Sequence, residues 1–87
     1  MLYDLLPCKG RVGFVATPRN AYWLNLANQV GKLEQAGWRV EDRGVMIDLP
    51  GPPEMTLYKS GKLLVRTPDP DEATRAAHRV YEVLGLR

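Results

Sequence analysis
The stretch "EMTLYKSGKLLVRT", Glu54 to Thr67, decides the fold, because its turn sets which side chains share a face. Read as a β-hairpin, it has two possible registers. A two-residue Ser60-Gly61 loop sets Tyr58 opposite Leu63 and Met55 opposite Arg66, mixing polar and apolar residues on both faces. A three-residue loop, Lys59-Ser60-Gly61, places the glycine in the left-handed position that follows a type I turn. Met55, Leu57, Leu63 and Val65 then line one face, and Glu54, Thr56, Tyr58, Lys62, Leu64 and Arg66 line the other. Burying one face specifies register strongly, so the sorted arrangement is the one expected.

Upstream, "RVGFVA", Arg11 to Ala16, is β-branched and aromatic and reads as the first strand. Thr17-Pro18 has the chemistry of a helix start, with threonine as cap and proline in the first turn. Trp23, Leu26, Ala27, Val30 and Leu33 recur at helical spacing, and Gly37 ends the run. Trp38 and Val40 alternate with Arg39 and Glu41, which predicts a short second strand. Asp42-Arg43-Gly44 is read as a turn into "VMIDL", with Val45, Ile47 and Leu49 inside and Met46 and Asp48 outside. The prolines of Pro50 to Pro53 remove ladder donors, so that segment is a turn. Beyond the hairpin, Asp69-Pro70 opens a second helix whose apolar stripe is Ala73, Ala76, Ala77, Val80 and Leu84. Gly85 stops it. The expected fold is therefore a single α+β domain over residues 1–87, ordered β-α-β-β-β-β-α. An antiparallel sheet carries both helices on one face, and its other face stays uncovered.

Composition bounds the function. Eighty-seven residues with 45% hydrophobic and 25% charged side chains suit one small globular domain. A net charge of +2 does not by itself select nucleic acid. The one cysteine, Cys8, allows no internal disulfide, and a reduced, cytoplasmic protein is the default expectation. The opening "MLYDLLPCKG" is unlike a signal peptide, and no apolar run nears the roughly 20 residues of a membrane span. His78, between Arg75, Arg79 and Glu82, reads as a surface residue, and Ser60 sits in a turn. One histidine, one cysteine and scattered carboxylates make no metal spacing, and "GRVG" is not a phosphate loop. The expectation is a non-catalytic protein without metal or cofactor, with Trp23 and Trp38 filling the core.

The segment "GVMIDLPGPPEMTLYKSGKLLVRT" and the closing helix resemble one half-repeat of the TATA-binding protein family. They are equally similar to the N-terminal substrate-binding module of bacterial ribonuclease HIII. The match runs through Val45 to Leu49, Pro50 to Pro53, Met55 to Tyr58, Ser60-Gly61-Lys62, Leu63 to Thr67 and Asp71 to Leu84. It spans Gly44 to Leu84, and the first half of the chain agrees in element order alone. The resemblance implies that the uncovered face meets duplex or hybrid nucleic acid with low sequence specificity. Tyr58 would then be the aromatic contact, with Thr56, Lys62, Leu64 and Arg66 around it. Arg39 joins this set as a neighbouring cation. The family pattern is broken at Asp42, near its second wedge aromatic, and at Asp48, which replaces an arginine. With one half-repeat present, a two-fold saddle requires a homodimer. The competing expectation is a protein-interaction or self-association module that uses the same face, on which Met46 and Leu64 add apolar area.

Overall fold
The computed structural model describes residues 3–8, 12–20 and 22–85. Its elements run β1 (Tyr3–Pro7), β2 (Phe14–Pro18), α1 (Leu26–Gln35), β3 (Glu41–Asp42), β4 (Met46–Leu49), β5 (Glu54–Tyr58), β6 (Leu63–Arg66) and α2 (Pro70–Leu84). The strands form one antiparallel sheet in the order β1-β2-β6-β5-β4-β3. This is the expected α+β architecture with one more strand.

The β5–β6 hairpin has the three-residue loop. Glu54 pairs with Arg66, Met55 with Val65, Thr56 with Leu64 and Leu57 with Leu63. Gly61 is left-handed at φ 88°, and Tyr58 N–H donates to Lys62 C=O at 2.9 Å. Met55, Leu57, Leu63 and Val65 are all buried, and Ile47, Leu49 and Ala16 extend the same floor into β4 and β2. Both helices pack on that floor. α2 contributes Ala73, Ala76, Ala77, Val80, Tyr81 and Leu84, while α1 contributes Leu26 and Leu33. The ends of α2 follow the sequence closely. Asp69 caps it by accepting Asp71 N–H at 2.9 Å, Asp71 and Glu72 lie in its first turn, and Gly85 closes it.

The N-terminal third departs from expectation. Tyr3–Pro7 is an edge strand paired with β2, with Tyr3 buried against Tyr81 at a ring separation of 5.0 Å. Strand β2 begins at Phe14, and Arg11, at the head of the expected strand, lies outside the described residues. Thr17 and Pro18 end that strand instead of starting a helix. Proline is tolerated there because the β2–β6 pairing already ends at Ala16 and Leu63, so no ladder donor is lost on that side. Asn25 is the true cap of α1, accepting Asn28 N–H at 3.4 Å.

Because α1 starts later, Trp23 precedes it and stands 83% exposed, not in the core as expected, and Ala27 is exposed too. Gly37 does end α1: its N–H donates to Glu34 C=O at 3.0 Å and Trp38 N–H to Leu33 C=O at 3.1 Å. Strand β3 is Glu41–Asp42, so Trp38 and Val40 lie before it, half-buried against the core. Asp42 pairs with Ile47, and Arg43 N–H donates to Met46 C=O at 2.9 Å. That tight connection turns the chain at Gly44-Val45. Val45 is consequently 65% exposed and does not join Ile47 and Leu49 inside.

The Tyr81 hydroxyl joins three parts of the fold. It lies 2.7 Å from the Gly61 carbonyl and 3.2 Å from the Ala16 carbonyl, so α2 is tied to the hairpin turn and to β2. Burial pushes this phenol's pKa well above its ordinary value, with a smaller contribution from Tyr3.

Two stability predictions follow from this packing. Leu63→Ala is expected to cost about 2–4 kcal/mol in a denaturant titration, and Leu64→Ala less than half as much, since only Leu63 empties a closed site. Tyr81→Phe is expected to cost about 1–3 kcal/mol by leaving the buried Gly61 carbonyl without its donor. The pH dependence has a definite sign. A phenol whose folded pKa is raised contributes stability that is intact below its unfolded pKa of about 10 and is lost as pH rises above it. Unfolding midpoints measured from pH 8 to 11 should therefore fall more steeply in the unmodified protein than in Tyr81→Phe.

Candidate interaction surface
Alternation along each strand sends every second side chain away from the helices. One row crosses all six strands: Leu6, Val15, Leu64, Thr56, Asp48 and Glu41, each paired with the next. Its β1-β2-β6 half is apolar, and its β5-β4-β3 half is polar. Beside it, Tyr58 pairs with Met46 across β4 and faces Lys62 across the hairpin. Leu6 is 62% exposed, while Val15, Leu64, Tyr58 and Met46 are each half-buried by their neighbours.

The polar half is held by charge. Asp48 accepts the Thr56 hydroxyl at 2.9 Å on one carboxylate oxygen and the Arg43 guanidinium on the other. The hydrogen bond to Asp48, then the charges of Asp48 and Glu41, hold the Arg43 guanidinium protonated still more firmly than usual. Arg66 pairs with Glu54 at 3.3 Å, and Arg19 with Asp4 at 3.0 Å. Lys62 has no carboxylate within pairing distance among the described residues.

A shallow depression of about 450 Å³ lies over β2, β6 and β5, lined by Cys8, Val15, Tyr58, Ser60, Lys62 and Leu64. Of the residues expected to form a site, it brings together Tyr58, Lys62 and Leu64. Thr56 is adjacent and nearly inaccessible, its hydroxyl committed to Asp48. Arg66 lies on the same face but is engaged by Glu54. Arg39 is not part of the cluster. It precedes β3 at the far edge, three strands and about 14 Å from β6. Compared with models of protein families, with curated proteins and with solved structures, the chain matches none.

Leu6, Val15 and Cys8 complete the surface, and the sequence pattern offers none of them as a contact residue. Val15 was legible, since Phe14 and Ala16 flank it and both turn inward. Leu6 was not, because Tyr3–Pro7 is held as a strand by its pairing with β2. Among the described residues, no three His, Cys, Asp or Glu side chains converge as a metal site would require, and no helix is long and apolar enough to cross a membrane. His78 is exposed, 3.3 Å from Glu82 one turn on.

The ion pairs differ in worth according to burial. Glu54→Gln, at an exposed pair, is expected to change stability by less than about 1 kcal/mol. Thr56→Val, which removes a hydroxyl from a nearly inaccessible site, should cost about 1 kcal/mol. Thermal unfolding of the two variants side by side checks the order.

Proposed function
We propose that the protein is a small, non-catalytic interaction module that self-associates through its uncovered sheet face. The observation that carries this reading is the charge arrangement around the apolar strip. Arg19, Arg43 and Arg66 are each matched by a carboxylate of the same face, Asp4, Asp48 with Glu41, and Glu54 respectively. A locally charge-matched surface with Leu6 exposed and Val15, Leu64 and Met46 half-buried along it meets a second copy without repulsion. A polyanion gains little from cations that are already paired.

A second reading has its own support. Tyr58 and Lys62 face each other across the turn and line one depression, an aromatic platform beside an unpaired cation. Together with the resemblance to a TATA-binding-protein half-repeat, this pair favours weak contact with nucleic acid at low sequence specificity.

Sedimentation over a wide concentration range separates the two. Self-association predicts a concentration-dependent dimer that persists as salt is raised, and Leu64→Asp should shift it to monomer. A monomer at every concentration overturns the first reading. Nucleic-acid contact predicts instead that oligonucleotide binding weakens with salt and that Lys62→Ala reduces the salt slope by about 1.

A further inference from the structure
A second concave region lies on the other side of the β5–β6 turn, between that turn and the start of α1. It holds about 410 Å³ and is lined by Trp23, Leu24, Leu26, Asp42, Gly44 and Lys59, among others. None of the residues of the open-face depression contributes to it.

Trp23 is the main feature. An indole offers one of the largest apolar contact areas of any side chain, and in this small domain it stands 83% exposed. The backbone beside it is anchored. Leu24 is buried and its N–H donates to Lys59 C=O at 2.7 Å, while Asn25 caps α1. The Lys59 ammonium lies 5.7 Å from the ring centroid, within cation–π range, yet leaves most of the ring uncovered. Asp42 also lines the region; its Oδ1 accepts Gly44 N–H at 2.8 Å, and no protein donor engages Oδ2 among the described residues. α1 carries no acidic residue in its first turn, unlike α2, so the positive end of its dipole adds to Lys59.

We infer that this cleft binds a nucleotide-like ligand, an aromatic base that carries a phosphate. The base stacks on Trp23, the phosphate meets Lys59, and an exocyclic amine of the base donates to Asp42. Each of the three groups matches one part of that ligand. A neutral aryl compound has no use for Lys59, and a purely acidic one has no use for the indole face and is opposed by Asp42. The same chemistry occurs in a free nucleotide and in one unit of a single strand. The inference is independent of how the open sheet face is used.

Trp38→Phe leaves Trp23 as the only tryptophan, since the chain has two. In that variant, at about 50 mM salt where charge contacts are least screened, adenosine monophosphate should quench the fluorescence saturably. Adenosine should bind more weakly, ribose 5-phosphate should not quench, and Lys59→Ala should weaken the nucleotide and lower its salt dependence. Trp23→Ala in the otherwise unmodified protein should reduce affinity at least about fivefold by calorimetry, which also serves if Trp38→Phe does not fold. Tighter binding of a short oligoadenylate than of the mononucleotide identifies a strand, and equal binding identifies a free nucleotide. Absence of saturable quenching and of binding heat with both, or full affinity in Lys59→Ala, overturns the inference.

Discussion
The turn Lys59-Ser60-Gly61 is the constraint on which the rest of the structure depends. Gly61, left-handed, lets the chain reverse in three residues, and that count puts Leu57 opposite Leu63 on the helix side. Any even-numbered alternative would send half of these side chains to water. The same three residues supply the fold with backbone acceptors. Gly61 C=O receives the Tyr81 hydroxyl of α2, and Lys59 C=O receives Leu24 N–H ahead of α1. Both helices are thus referenced to one turn, and through the ladder so is every strand.

From that register the two faces of the sheet acquire different physics. The inner face is closed over by α1 and α2, and its contribution is the removal of apolar surface from water. The outer face gains little by burial and is organised by charge matching. Asp48 shows how the second depends on the first. It lies between the buried Ile47 and Leu49, so it must point outward, and Thr56 and Arg43 converge on it from the same side. A carboxylate that would repel phosphate in isolation is here half of a local ion pair. On the reading proposed above, this balance suits the same locally charge-matched face of a second copy better than a polyanion.

The hairpin turn also separates the two concave regions of the molecule. Lys59 lines one, while Ser60 and Lys62 line the other. The two regions have no lining residue in common. Lys59 lies against Trp23 in one region, while Tyr58 and Lys62 line the other.

Where local pattern and tertiary environment agree, the sequence by itself determined the structure. The three-residue loop, the inward set of β5 and β6, the turn at Pro50 to Pro53, and α2 with its Asp69 cap and Gly85 stop were all legible. In each case the pattern is dense and the end signals are unambiguous. Tyr58, Lys62 and Leu64 were placed together for the same reason, since strand alternation is a local property. What the tertiary structure decided depends on contacts remote in sequence. Tyr3–Pro7 is a strand because β2 and Tyr81 receive it, and Thr17-Pro18 remains extended because β1 pairs with it. Trp23 is exposed because α1 begins only at Leu26, capped by Asn25, while the chain before it is drawn to the hairpin turn. Arg39 lies far from Lys62 because the strand order interposes β5 and β4 between β6 and β3. Strand periodicity tells which way a side chain points, but the distance between two outward side chains is set by sheet order, which no local pattern encodes.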